Sequence, residues 1–258
     1  MKSRLCIISA SFNAGSCIDK LIQSLEAQTD KEFTWVLVDG GSSDDTLEKA
    51  QKIKGVNKEV ILNENDFGIY HAINAGIRLC SNDYYIVAGC DDSLHPNAIE
   101  NFKKAISESN ADIVVANVNT PQKLMKPKGS ELIWLYGGRS LIASHSVGTS
   151  IRCSLHRKLG VYSSLYPIYA DSEFIVRAFI NGAQFSYFDF VAGDFSLEGV
   201  SNNNQLTCFS EQFRALVANG YNFYLQWLLF NLRLIKWSGT IHHLQATVKK
   251  TRICKSNR

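Results

Sequence analysis

Residues 33–53 read FTWVLVDGGSSDDTLEKAQKI. The first six are apolar or β-branched, which predicts a buried strand over Phe33–Val38. The next eight, Asp39-Gly-Gly-Ser-Ser-Asp-Asp-Thr46, are small and polar, and Leu47–Ile53 returns to helical spacing. Strand, polar loop, helix is half of a βαβ unit. The same alternation runs outward in both directions. Leu5–Ala10 is a strand candidate followed by Ser11-Phe12-Asn13-Ala14-Gly15-Ser16 and a helical Cys17–Gln28. Glu59–Asn63 reads as a strand, Ile69–Cys80 as a helix, Tyr84–Ala88 as a strand ending in Gly89-Cys90-Asp91-Asp92, Pro96–Ser109 as a helix and Ala111–Asn117 as a strand.

Such alternation predicts an α/β protein with a mostly parallel, doubly wound sheet. Ligands in these sheets bind beyond the carboxyl ends of the strands. Asp39 and the Asp91-Asp92 pair fall at that edge. Beyond residue 120 the pattern loosens: Lys123–Gly138 reads as a loop or partly ordered segment, Leu155–Leu159 and Glu173–Asn181 as helical, and Phe185–Phe190 as a strand.

The 258 residues are 45% hydrophobic and 20% charged, enough chain for one large or two small globular domains. The net charge of +3 hides an asymmetry. From Gln212 to the end there are eight Lys/Arg and no Asp or Glu; the other 211 residues carry 19 basic and 24 acidic side chains. Seven cysteines without a CxxC pair exclude a zinc-finger pattern and a disulfide framework. With a run after Lys2 and Arg4 too short for a signal peptide, they predict a cytoplasmic setting.

Four segments carry candidate chemistry, each with a plainer structural alternative. Asp91-Asp92 suits a hard divalent cation, which prefers oxygen ligands, or simply a helix cap. In the Asp39 loop the glycines let backbone approach a ligand, or Asp44 and Asp45 cap the next helix. The loop lacks both GxGxxG and a P-loop lysine. Residues 65–76, NDFGIYHAINAG, offer Asp66 and Asn74 as polar contacts, or form a capped helix with Tyr70 in the core. Ala170-Asp171-Ser172-Glu173 places a carboxylate before a helix, with Arg177 to orient it; the alternative is an N-cap with a Glu–Arg pair at i,i+4.

Taken in order, SFN, DGGSSDDT, NDFGIYHAINAGI, YYIVAGCDD and ADSEFIVR resemble the family 2 glycosyltransferases over residues 4–200, in particular the bacterial enzymes that build O-antigen, capsule and other surface polysaccharides. The resemblance implies a GT-A fold, with a catalytic domain over 1–210 (a nucleotide-sugar half about 1–120, an acceptor half about 121–210) and a basic helical tail over 211–258. It implies an inverting transfer from a nucleotide-sugar, UDP-hexose or UDP-N-acetylhexosamine, with Mn²⁺ or Mg²⁺, to a growing lipid-linked or oligosaccharide acceptor such as lipopolysaccharide. Nucleic acid is not an implied partner. Ser9, Ala10, Ser11 and Phe12 would line the nucleotide pocket. Asp39 would bond the base, with Asp66 and Asn74 beside the nucleotide-sugar. Asp91 would touch ribose or sugar, and Asp92 would hold the metal. Asp171 would be the catalytic base, with Glu173 its alternate. His71, Gly89-Cys90 and Ser146 depart from the family pattern, and His145 either reaches the substrate or is a buried structural histidine. The alternatives are a nucleotidyltransferase, which would carry a basic loop after the first strand, and a degenerate nucleotide-binding scaffold.

Tyr221–Trp237, YNFYLQWLLFNLRLIKW, is amphipathic. Phe223, Trp227, Phe230, Leu234 and Trp237 are expected on an apolar stripe, and Asn222, Gln226, Arg233 and Lys236 on a polar one. With Lys249, Lys250, Arg252, Lys255 and Arg258 beyond, this predicts a peripheral contact with the inner face of the cytoplasmic membrane, or a helix packed on the domain.

Overall fold

A computed structural model describes residues 4–62, 68–80, 83–196 and 204–238. Asp66 and the basic residues 249–258 lie outside them. Nine strands form one sheet: β1 (Leu5–Ser11), β2 (Phe33–Asp39), β3 (Asn57–Leu62), β4 (Tyr84–Val87), β5 (Ser93–Leu94), β6 (Ile113–Asn119), β7 (Leu124–Met125), β8 (Thr149–Arg152) and β9 (Phe185–Asp194). Their order is β3-β2-β1-β4-β8-β6-β9-β5, with β7 on β6.

The half built by β3, β2, β1 and β4 is parallel, as the alternation predicts. The other half is mixed. β8 lies antiparallel between β4 and β6, while β6 and β9 run parallel. β8, only four residues long, follows the irregular stretch after residue 120, so no repeating unit announces it. Lys123–Gly138 is the partly ordered alternative: it contains β7, a turn of 3₁₀ helix at Ser130–Leu132 and α5 (Ile133–Tyr136), and leads into a second 3₁₀ turn, Gly137–Ser140.

Side chains alternate across a strand, and here both faces are covered. Leu5 and Ile7 of β1, Trp35 of β2 and Tyr84 of β4 pack under α1 (Ile18–Glu26), α2 (Thr46–Gln51) and α4 (Ala98–Ser109). Cys6, Ile8, Val36 and Tyr85 pack the other way, under α3 (Ile69–Leu79), α6 (Ser154–Leu159), α7 (Ala170–Ile180) and α8 (Gln205–Ala218). Residues 223–238 form a last helix, α9. β2 and β4 flank β1, with connections that wind in opposite directions, so the crevice opens at the carboxyl ends of β1 and β4.

β5 and β9 close the sheet beside the Asp91-Asp92 pair. They meet at Gly193, where an added Cβ would fall 2.1 Å from the Ser93 carbonyl oxygen. Gly193→Ala is expected to push these backbones apart and cost about 1–3 kcal/mol of stability. Urea denaturation of the two proteins measures it; an unchanged midpoint would contradict the packing.

Candidate active site

The loops after β1 and β2 are fastened together by side chains. Asn13 N–H donates to Ser42 Oγ (2.8 Å), and Ser43 N–H donates back to Asn13 Oδ1 (2.9 Å). Ala14 N–H donates to Thr46 Oγ1 (2.8 Å) and Gly15 N–H to Asp44 Oδ2 (2.9 Å). Gly15 has no room for a Cβ, which would sit 1.8 Å from Asp45 Oδ1. Asp45 occupies the cap position of α2 without a side-chain capping bond, and Asp44 instead accepts Thr46 N–H at 3.1 Å.

Asp39 is the knot beneath this fastening. Its Oδ2 accepts from the hydroxyls of Ser11 and Ser42, both at 2.7 Å. Its Oδ1 accepts from Gly41 N–H (3.0 Å) and Ser42 N–H (2.7 Å). The parallel register sets Ser11 opposite Asp39, which explains the first bond. The carboxylate is fully buried, so a base can reach it only if the Ser42 hydroxyl yields. Ser9 lies deeper: its hydroxyl accepts the Trp35 indole N–H (3.1 Å) and it has no exposed surface. Ser9 is therefore a core residue under the pocket, not part of its lining. Ala10 is half-buried, and Phe12, 63% exposed, stands free at the rim.

Asp91 and Asp92 divide. Asp91 is half-buried at the sheet edge. Asp92 is 1% exposed. Its Oδ2 accepts from Gly89 N–H (3.0 Å) and from the Ser146 hydroxyl, and its Oδ1 accepts from Ser196 N–H (2.9 Å). Burial pushes its pKa up to about 6, partly offset by these bonds. Ser146 was visible in the sequence only as a departure from pattern; its role follows from its bridge to Val87, which sets it beside the end of β4.

Asp171 sits in the first turn of α7, inside the helix rather than before it, and takes Ser172 N–H at 2.6 Å. Tyr70 lies beside it. Burial, and after it the Asp171 charge, raises the Tyr70 phenol well above its usual range. Glu173 is committed elsewhere. Its two oxygens accept Nε and Nη2 of Arg177, each at 3.0 Å, in a buried i,i+4 fork. The predicted Glu–Arg pair exists, but in the interior, and Arg177 orients Glu173 rather than Asp171. That removes Glu173 as the alternate base. Asn74 also moves out of the ligand set: its amide donates to the Tyr162 carbonyl (2.9 Å) and accepts Tyr162 N–H (3.0 Å), clamping that loop.

Behind Asp171 runs a buried polar chain that the motifs do not show. His156 Nδ1 meets the Gly160 carbonyl at 3.1 Å, and its Nε2 meets Tyr85 Oη at 2.6 Å. Tyr85 Oη meets Tyr162 Oη at 2.6 Å, and Tyr162 Oη meets His145 Nε2 at 2.6 Å. A carbonyl only accepts, so His156 Nδ1 donates to it and Nε2 accepts from Tyr85. Tyr162 then donates to Tyr85 and accepts from His145 Nε2–H. Burial lowers the pKa of His145, while Asp171 opposes that shift.

One strand edge thus carries a buried carboxylate under a Ser/Gly loop, an acidic pair, and a separate carboxylate on a helix N-terminus. Among the described residues no group of three or more His, Cys, Asp or Glu forms a self-contained metal site. Asp91 and Asp92 fit a cation that draws its remaining ligands from a phosphorylated substrate, since Mg²⁺ commonly takes one or two carboxylates plus phosphate oxygens.

Known proteins share this fold. The chain is 29% identical to a PGL/p-HBAD biosynthesis glycosyltransferase of Mycobacterium bovis over 182 residues, 69% of this chain and 70% of that one. Its fold matches Staphylococcus aureus TarS 1-349 in complex with UDP-GlcNAc (TM-score 0.66, 16% identity, 90% of this chain and 71% of that one), and it spans 43% of the longer TarS chain. It also matches the mannosyltransferase PcManGT of Pyrobaculum calidifontis in complex with GDP-Man and Mn²⁺ (TM-score 0.68, 13% identity, 96% and 80%). These are GT-A folds, and the family model for glycosyl transferase family 2 matches residues 6–151. With more than half the chain matched, the protein belongs to glycosyl transferase family 2.

Proposed function

We propose that the protein is an inverting, divalent-metal-dependent transferase that moves a hexosyl or N-acetylhexosaminyl group from a UDP-sugar to a growing, lipid-linked surface glycan. The observation that carries the reading is the separation of carboxylates. Among the described residues Asp171 is the acidic side chain of α7 outside an ion pair, while Glu173 is locked by Arg177. One free carboxylate suits a single displacement at the anomeric carbon: Asp171 takes the proton of the acceptor hydroxyl as its oxygen attacks opposite the leaving group. The bond from the anomeric carbon to the diphosphate oxygen breaks, and the electron pair leaves with the nucleoside diphosphate.

Asp91 and Asp92 would hold the cation, which when bound neutralises charge on the diphosphate. Gly89 N–H and Ser146 orient Asp92 from behind. The nucleoside would lie over Ser11, Ala10 and the exposed Phe12, with the Asp39 loop shaping the base end. A fold neighbour in complex with UDP-GlcNAc supports the donor class. The basic chain end supports a site of action on the inner face of the cytoplasmic membrane.

A panel of UDP-, GDP- and dTDP-sugars with Mn²⁺ or Mg²⁺ tests this by release of nucleoside diphosphate. One donor should be hydrolysed slowly without acceptor, and faster with a lipid-diphosphate acceptor. Asp92→Ala should lose at least about 100-fold of that rate, the scale of one electrostatic partner in a transition state. No turnover and no nucleotide binding would identify a scaffold instead.

A further inference from the structure

α9 is inside out. Its polar residues Gln226 and Arg233 face the domain: Gln226 Nε2 donates to the Trp134 carbonyl (2.8 Å) and Arg233 Nη2 to the Leu135 carbonyl (2.5 Å). Its outer arc carries Tyr224, Leu228, Leu232 and Ile235, which are 78%, 50%, 51% and 67% exposed. The sequence places Gln226 and Arg233 on the polar strip; packing against the carbonyl ends of α5 brings them inward beside Phe230.

Under α9 lies a pocket of about 450 Å³ lined by Arg139, Arg233, Lys236, Tyr136, Phe209 and Trp237, among others. Among the described residues no Asp or Glu lines it. Arg139 donates to Cys208 Sγ (3.2 Å). Arg233 Nη1 is buried without a protein partner, and so is the Tyr169 hydroxyl, which lies within electrostatic reach of both arginines. Buried donors are almost always paired, and clustered cations repel unless an anion bridges them. Arg139 is also within electrostatic reach of Asp171, so this pocket neighbours the proposed base.

We propose that this seam pocket binds the phosphate of a phosphate-bearing lipid whose hydrocarbon runs along the outer face of α9. Guanidinium forks match phosphate oxygens, the aromatic walls suit an amphiphile, and the exposed stripe suits a bilayer interface. The chain beyond the described helix adds five basic residues and no acidic one, favouring an anionic surface over a second acidic-bodied copy. This rests on the transferase reading only for the lipid's role as acceptor.

The test is flotation of the full chain with phosphatidylcholine vesicles, alone or doped with phosphatidic acid or polyprenyl phosphate, with inorganic pyrophosphate as soluble competitor. Binding to doped vesicles, weakened about fivefold or more by Arg139→Gln, is expected, the scale of one basic residue at an anionic surface. Arg233→Gln is the second variant, and the folding of both is checked by circular dichroism. Preference for polyprenyl phosphate assigns the acceptor, equal binding assigns a headgroup, and competition by pyrophosphate confirms the phosphate as the recognised group. Wild-type flotation by both variants, with binding lost only on removing residues 239–258, overturns the pocket. A stable dimer broken by Ile235→Ser, without flotation, assigns the face to a second copy and also overturns it. Donor hydrolysis by the same wild-type preparation reports the transferase reading separately.

Discussion

Asp171→Asn is expected to lower kcat by about 10²–10⁴-fold, the range for loss of a general base, with little change in donor KM. The substitution is nearly isosteric. The new amide oxygen still accepts Ser172 N–H, the bond that the carboxylate accepts at 2.6 Å, so the first turn of α7 has no reason to shift. What is lost is the ability to take a proton. Glu173→Gln is the informative partner. It leaves Arg177 without its carboxylate in a site where Arg177 also holds the carbonyls of Leu159 and Val161. Removing one member of a buried pair costs about 3 kcal/mol or more. The two neighbours should therefore separate: one variant is stable and inactive, the other destabilised, with its folded fraction active. Steady-state kinetics and urea denaturation of both proteins decide it. A Glu173→Gln protein as inactive as Asp171→Asn at full folding would return the base assignment to Glu173.

The parallel half of the sheet was legible because its apolar runs and polar loops recur at a regular spacing, and because the register follows from burial of both faces. Asp39, Asp91, Asp92 and Asp171 were legible as positions. Their states were not. Whether a carboxylate is free or engaged depends on donors remote in sequence: Ser146 reaches Asp92 across 54 residues, and Ser11 reaches Asp39 across 28. Ser9 reads like Ser11 and shares its face of β1, yet it lies two residues deeper in the strand, where it meets the Trp35 indole rather than the Asp39 carboxylate. Asn74 reads as a site residue because it lies in the motif, but its amide pairs with the Tyr162 backbone like a strand edge. The sidedness of α9 failed for a different reason. A helical wheel separates an apolar stripe from a polar strip, but the face that meets the protein straddles both: Phe230 packs on Phe213, while Gln226 and Arg233 reach the carbonyls of Trp134 and Leu135 at a helix end.

The buried chain from His156 to His145 should make the protein acid-sensitive well above the carboxylate range. Burial, the larger cause, lowers the pKa of His156 to about 4 against the bond to Gly160, which acts the other way. In the unfolded chain the same group titrates near 6.5. Between those values the unfolded state binds the extra proton, so stability rises with pH there. The contribution is complete above about pH 6.5 and is lost as pH falls toward 4. A shift of that size is worth about 3 kcal/mol, and His145, shifted in the same direction, adds to it. Protonated His156 would turn its Nε2 from acceptor to donor, so the Tyr85 hydroxyl could no longer donate to it and the order of donors through Tyr162 would have to reverse. Between pH 6.5 and 5 the histidines pull the melting temperature down, while Asp92, its pKa raised to about 6, takes a proton in the folded state and offsets part of that fall. His156→Gln should start lower, since it leaves Tyr85 with a poorer partner beside the stacked Phe174 ring, 4.3 Å away in the parent protein. Its melting temperature should also fall less than the parent's as pH drops across that window. An equal slope in the two proteins would show that the chain does not carry the acid response.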